Sequence, residues 1–270
     1  MARLFDAHNH LQDERIVGRA DELLEAAGRE GLVSMCVNGS CPDDWDAVLE
    51  LARRHSCIVP SFGCHPWHLE GLRPDWQVRL VEALASIPSG VGEIGIDGWR
   101  GEVDDSLQER VFFEQLEVAS TLGRPVSIHG LRRWGRLLEL LKAGPKLSAG
   151  FLLHSYGGSR ELVPQFAKLG GFFSCPGYFL RPGCEKKLET FRHVPSDRLL
   201  VETDAPDQAL PVELERFSLG LDNSGHRLNH PGNISAVYAG LSRALETDLE
   251  QLATQVEANF ASLFGSCRRM

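Results

Sequence analysis

Three observations predict a (β/α)8 barrel. Eight short apolar runs alternate with helical stretches along 270 residues. Most of the runs lack an alternating polar face, as parallel strands covered on both sides require. Residues capable of metal or acid–base chemistry stand at the C-terminal ends of several runs, where barrel enzymes keep their active sites. The length suits one such barrel, residues 1–270 as a single domain. An open doubly wound sheet is the runner-up. It should bring a glycine-rich phosphate loop after its first strand, but His8-Asn9-His10 stands there.

The predicted strands cover residues 4–8, 33–37, 58–62, 91–96, 126–129, 151–154, 172–174 and 199–203. Between them lie stretches with apolar residues three and four apart. Residues 20–29 carry Leu23, Leu24 and Ala27, and 45–54 carry Val48, Leu49 and Ala52. Residues 107–122 carry Val111, Phe112, Leu116 and Ala119, with Leu122-Gly123 as the stop. Helices are also expected at 134–142, 160–169 and 185–191, and Gly170-Gly171 marks the return into strand seven. Residues 207–232 are polar and rich in Asn, Gly and Pro, which predicts a long loop over the barrel mouth. One helical segment, 234–264, closes the fold. No internal repeat or low-complexity tract interrupts the pattern.

Composition narrows the function. Hydrophobic residues make up 43% of the chain, enough for a large core. The net charge of −9 and pI near 5.6 argue against a basic domain that grips duplex DNA. A phosphate substrate stays compatible, because two divalent ions would add about +4 in the cleft. Seven cysteines without a Cys-x-x-Cys pair read as reduced thiols, hence a cytoplasmic protein. The sequence shows no signal-peptide core, no bilayer-length apolar run and no feature demanding an obligate protein partner.

His8 and His10, two apart on a strand, point to one face. In a barrel they meet residues distant in sequence: His65 after strand three, Glu93 on strand four, His129 on strand five, His154 on strand six and Asp204 after strand eight. Each has an ordinary reading alone. A strand-end histidine caps a core more often than it binds metal. Glu93 can cap a helix or pair with an arginine, and Asp204 can hold a turn. All of them falling on one mouth favours chemistry. His8, His10, His129, His154, Glu93 and Asp204 offer enough ligands for two divalent ions if Glu93, between the two histidine groups, bridges. Four imidazoles favour Zn²⁺ or Mn²⁺.

The chain resembles the TatD family of metal-dependent hydrolases over essentially its whole length. The matching segments are Phe5-Asp6-Ala7-His8-Asn9-His10-Leu11, Phe62-Gly63-Cys64-His65-Pro66 and Gly92-Glu93-Ile94-Gly95-Ile96-Asp97. Gln108 through Phe113-Glu114-Gln115-Leu116 to Pro125-Val126-Ser127-Ile128-His129 follows, then His154-Ser155-Tyr156-Gly157-Gly158-Ser159. Glu202-Thr203-Asp204-Ala205-Pro206 and Asn259-Phe260 through Leu263-Phe264 complete the ordered set. The resemblance implies a barrel with two metals that hydrolyses phosphodiesters, typically as a deoxyribonuclease. It implies that His8, His10, Glu93 and Asp204 hold one ion and Glu93, His129 and His154 the other. His65 would face substrate, and Mg²⁺ joins the candidate ions.

The chain departs from the family pattern in places. Leu131 stands where an arginine is usual, with Arg132 and Arg133 following. Arg227-Leu228-Asn229-His230-Pro231 shifts an expected arginine by one place, and Tyr156 and Gly157 replace a more usual Phe and Ser. Substrate choice is the property these changes touch. Trp67 and Tyr178 are candidates to stack a base or to pack at the rim. Arg132, Arg133 and Arg181 are candidate phosphate contacts or solvated loop residues. His55, His68, His193 and His226 read as surface or loop residues, Cys64 as packing, and His230 lies in the loop expected over the site.

The expected reaction is cleavage of nucleic-acid ends or a small phosphodiester by a water that two metals activate, with exonucleolytic trimming of single strands preferred. Asp204 is the expected catalytic proton acceptor, and His65 a catalytic residue that stabilises phosphoryl charge. A barrel amidohydrolase or lactonase is the nearest rival. Such sites often use a carboxylated lysine, but Lys142, Lys146, Lys168, Lys186 and Lys187 all lie away from predicted strand ends. A non-catalytic metal-binding scaffold is the alternative from another class.

Overall fold

The computed structural model describes residues 2–99 and 104–268. Strands β1 (Leu4–Asn9), β2 (Leu32–Asn38), β3 (Ile58–Phe62) and β4 (Gly90–Asp97) are followed by β5 (Val126–Leu131), β6 (Phe151–Leu153), β7 (Gly171–Pro176) and β8 (Leu199–Glu202). They pair in sequence order, all parallel. The seam between β8 and β1 is closed just beyond β8. The Asp204 N–H donates to the His8 carbonyl at 3.0 Å, and the His10 N–H to the Ala205 carbonyl at 2.7 Å. Buried Asp6 accepts from the Thr203 N–H at 2.9 Å and its hydroxyl at 2.6 Å. This is the expected (β/α)8 barrel, and its C-terminal rim carries the candidate residues.

Helices α1 (Ala20–Arg29), α2 (Trp45–Arg54), α3 (Trp76–Ser86), α4 (Asp105–Leu122), α5 (Trp134–Ala143), α6 (Val163–Lys168) and α7 (Glu185–Phe191) fill the connections. Helix α3 adds to the expected set: Trp76, Leu80 and Leu84, spaced by four, form its buried stripe. Helix α4 begins where the Asp104 side chain accepts from the Ser106 N–H and stops at Gly123 with φ +61°, as the glycine predicts. Helix α6 is shorter than residues 160–169, because a proline occupies its first turn.

Two expectations need correction. Residues 207–232 are not a loop over the mouth. They contain an antiparallel hairpin of β9 (Ser218–Leu221) and β10 (Arg227–Asn229). Buried Asn233 holds the hairpin's approach by accepting from the Arg216 and Phe217 N–H groups, each at 3.0 Å. Arg216 in turn pairs with Glu30 just past α1 at 2.5 Å. The polar residues that suggested a free loop are spent on these internal bonds. The closing segment is also two helices, α8 (Ile234–Leu245) and α9 (Leu249–Phe264). Glu246 breaks it at φ +55°, and the Asp248 side chain caps the Glu250 and Gln251 N–H groups.

Candidate metal centre

Glycines let β4 and β5 approach closely enough to set Glu93 beside His129. A Cβ on Gly95, at φ +154°, would lie 2.0 Å from the His129 carbonyl oxygen. One on Gly92 would lie 2.7 Å from Ser127 Cβ. Between these glycines Glu93 points into the mouth, 2% exposed.

Its two carboxylate oxygens face different partners. Oε2 lies 3.0 Å from His10 Nε2 and 3.3 Å from His8 Nε2. Those nitrogens are 3.2 Å apart, and Asp204 Oδ1 lies 3.6 and 3.7 Å from them. Oε1 lies 2.7 Å from His154 Nε2, 3.0 Å from His129 Nδ1 and 3.4 Å from His65 Nε2. His129 Nδ1 and His154 Nε2 are 3.2 Å apart. Ligand atoms held tetrahedrally about 2.0–2.1 Å from Zn²⁺ lie roughly 3.3 Å from one another, so these spacings match those of a metal-ligand shell.

Hydrogen bonds behind the rings set their tautomers. His10 Nδ1–H donates to the Asn38 carbonyl at 2.8 Å, and His129 Nε2–H donates to Asp97 Oδ2 at 2.8 Å. With the rings neutral, as metal binding requires, that leaves lone pairs on His10 Nε2 and His129 Nδ1, both on the Glu93 side. His154 Nδ1 lies 3.8 Å from Glu202 Oε1, close enough for attraction but too long for a hydrogen bond. Glu202 itself accepts from the Ser155 N–H at 2.7 Å, the Ser155 hydroxyl at 2.5 Å and the Ser174 hydroxyl.

His65 differs from the other histidines. Its Nδ1 accepts from the Trp67 N–H at 3.1 Å. A backbone amide only donates, so the neutral ring carries its proton on Nε2. Burial keeps the ring neutral by holding its pKa well below the ordinary value. His65 therefore presents an N–H to the centre rather than a lone pair.

The donor set suits cations. Glu93 Oε1 is buried without a hydrogen bond although three imidazole nitrogens surround it. Burial would raise the Glu93 pKa, but His154, His65 and His8 outweigh it and hold the carboxyl well below its usual range. Burial opposes charge on His154 and His10 too, yet the facing carboxylates draw protons onto both, His10 rising to about 9. Burial together with His154 drops His8 to about 4. The centre thus collects positive charge, and bound divalent cations would replace those protons. Burial lifts Asp204 to about 7, and Gln208 Nε2 donates to its Oδ2 at 2.5 Å.

A cavity of about 730 Å³ opens over the centre. Trp67, Tyr178 and Arg132 line it, as do Trp99, Gln208 and Lys187. Of residues 207–232, only Asp207 and Gln208 reach its wall. Other candidates are engaged elsewhere. Arg133 pairs with Asp105 at 2.6 Å and Arg227 with Glu215 at 2.5 Å. Arg181 stacks 4.2 Å over the Tyr178 ring. His55 pairs with Asp21, His193 and His226 sit near surface acids, and His68 is exposed. His230 is buried off the cavity, stacked on Phe217 at 4.8 Å. Buried Cys64 is packing, its backbone held by Gln115.

Three supporting carboxylates escaped the sequence reading: Asp97 behind His129, Glu202 behind His154 and Asp6 at the seam. Strand period offers a signal for two of them. Asp97 is four residues after Glu93 on β4, and Asp6 is two before His8 on β1, hence on the same faces.

The family model described as TatD related DNase matches residues 5–265. The chain belongs to this family. A TatD relative from Citrobacter koseri, named 3'-5' ssDNA/RNA exonuclease TatD, is 29% identical over 266 residues, 97% of this chain and 99% of the relative. The protein named Uncharacterized metal-dependent hydrolase YjjV, from Escherichia coli K12, is 26% identical over 267 residues, 98% of each chain. The crystal structure of that TatD homologue matches with a TM-score of 0.88, covering 98% of each chain. TatD membership makes the chain an enzyme of the metal-dependent hydrolase type. Among the described residues, no helix is long and apolar enough to cross a membrane.

Proposed function

We propose that this TatD-family enzyme hydrolyses phosphodiester bonds at single-stranded nucleic-acid ends, using two divalent ions. The observation that carries this reading is the division of Glu93: Oε2 faces His8 and His10, and Oε1 faces His129 and His154. His8, His10, Glu93 and Asp204 would hold one ion, and Glu93, His129 and His154 the other. Zn²⁺, Mn²⁺ and Mg²⁺ are the candidates. When bound, such a pair supplies acidity to a water and positive charge for phosphoryl oxygens.

The chain's own residues do the rest. Asp204, whose Oδ1 lies 3.6 and 3.7 Å from the His8 and His10 Nε2 atoms, is placed to accept the water's proton. Gln208 orients the carboxylate through Oδ2, leaving Oδ1 toward the centre. The His65 Nε2–H is a donor for a phosphoryl oxygen. The aromatic-walled cavity of about 730 Å³ suits an unpaired strand end, whose bases can stack on its walls. The exonuclease named among the relatives acts on single-stranded DNA and RNA, in keeping with this substrate class.

The test is incubation of metal-loaded protein with end-labelled single-stranded oligonucleotides and a closed circular duplex. A chelator-sensitive ladder shortening from one end is expected, with the circle nicked more slowly. Faster nicking of the circle would overturn the end-directed reading. Hydrolysis of a lactone or an amide without cleavage of either nucleic acid would overturn the phosphodiesterase reading.

A further inference from the structure

Lys187 brings a positive charge to the cavity from outside the rim of strand ends. It belongs to α7, and its ammonium lies 4.5 Å over the buried Phe179 ring. Phe179 in turn packs on Phe191 of the same helix, with ring centres 6.2 Å apart. The side chain is half-buried along this aromatic ledge. Its head reaches the wall beside Gly157, where an added Cβ would stand 3.7 Å from Nζ.

The ammonium makes no ion pair among the described residues, a property it shares with Arg132 of the same cavity wall. Arg133 and Arg227 are tied to Asp105 and Glu215. Arg15 occupies Asp13 and Asp207, so the one acid of the outer wall is already neutralised. A net charge of −9 makes an uncompensated cation in the cavity harder to dismiss as surplus. Cation–π contact holds the ammonium in place but leaves its N–H donors open to an anion. Nζ forms no ion pair with Glu93 or Asp204, and its seat over Phe179 places it on the Gly157 wall of the cavity rather than in the ligand cluster.

We propose that Lys187 is a specificity-determining residue that binds the phosphate adjacent to the one cleaved. The enzyme would then select ends carrying at least two phosphates over an isolated phosphodiester. This rests on the phosphodiesterase reading above and names the substrate feature that site selects.

The experiment compares kcat/KM for a 5′-phosphorylated single-stranded trinucleotide with that for bis(4-nitrophenyl) phosphate, which has one phosphate. Lys187→Gln should lower the ratio of the two roughly tenfold, mainly through KM for the trinucleotide. It should also flatten the salt dependence by about one phosphate contact. Lys187→Arg, which keeps the charge, should hold the ratio within about threefold. An unchanged ratio in Lys187→Gln would overturn the proposal, as would equal losses on both substrates. If the wild type turns over neither substrate, the phosphodiesterase reading fails. Titration of labelled trinucleotide then decides on Lys187, with equal affinity in wild type and Lys187→Gln counting against it.

Discussion

His129 and Asp97 lie on adjacent strands and share a hydrogen bond of 2.8 Å, His129 Nε2–H donating to Asp97 Oδ2. The same oxygen accepts from Trp67 Nε1–H at 2.9 Å, and Asp97 Oδ1 accepts from the Trp99 N–H at 2.6 Å. Several donors converge on the carboxylate; although burial opposes charge, the bond to His129 leads the effects that hold its pKa near 2. Asp97 therefore stays charged and keeps the His129 lone pair on Nδ1. Asp97→Asn should weaken binding at the His129 side of the centre by roughly 10–100-fold, as loss of such a partner typically does. Competition with a chelator measures this. Unchanged affinity for both ions would remove Asp97 from the metal site.

Glu93→Gln should reduce metal content to one ion per chain or fewer. The amide nitrogen has no lone pair to offer, so one of the two clusters faces an N–H instead of an oxygen. Elemental analysis after gel filtration checks it. Two retained ions would contradict the bridging role.

Asp204→Asn separates chemistry from folding. Burial already makes the charged form costly at this position, lifting its pKa to about 7. A neutral amide should leave the metal-free melting temperature within a few degrees. Turnover should fall by roughly 10²-fold or more, the scale of a lost general base. A near-normal rate would assign the proton to another group.

His65→Ala should keep both ions, because its Nε2 carries a proton rather than a lone pair. Loss of a donor to a developing charge should lower kcat by roughly 10²-fold. Metal analysis beside steady-state kinetics distinguishes the roles. A variant that loses an ion would make His65 a ligand.

Acid should loosen the hairpin through His230. Its Nδ1 accepts from the Gly232 N–H at 2.8 Å, which requires a neutral ring. Burial, aided by Arg19, lowers its pKa from 6.5 to about 4, against the opposing pull of Glu22. The folded value lies below the unfolded one, so the neutral ring's contribution is whole above pH 6.5 and lost as pH falls towards 4. His230→Asn can accept the same bond without titrating. The stability advantage of wild type over this variant, from denaturant midpoints, should shrink between pH 7 and pH 4.5. A constant difference would contradict the assignment.

The sequence by itself determined the barrel and the chemical character of its rim. Apolar runs encode strands through a local period, and His8, His10, Glu93, His129, His154 and Asp204 are legible because parallel strands must deliver their C-terminal ends to one mouth. The stripe of Trp76, Leu80 and Leu84 was equally local, so α3 too lay within reach of the pattern. Only the tertiary structure decided which Glu93 oxygen faces which histidines, and that His65 points a proton rather than a lone pair inward. It also decided that Arg227 is spent on Glu215 while Lys187 reaches the cavity, and that Asn233 turns a polar stretch into a hairpin. These outcomes depend on hydrogen-bond and packing partners brought together by the closed fold. A single side chain's pattern along the chain carries its face and its spacing, but not the identity of the group it will meet.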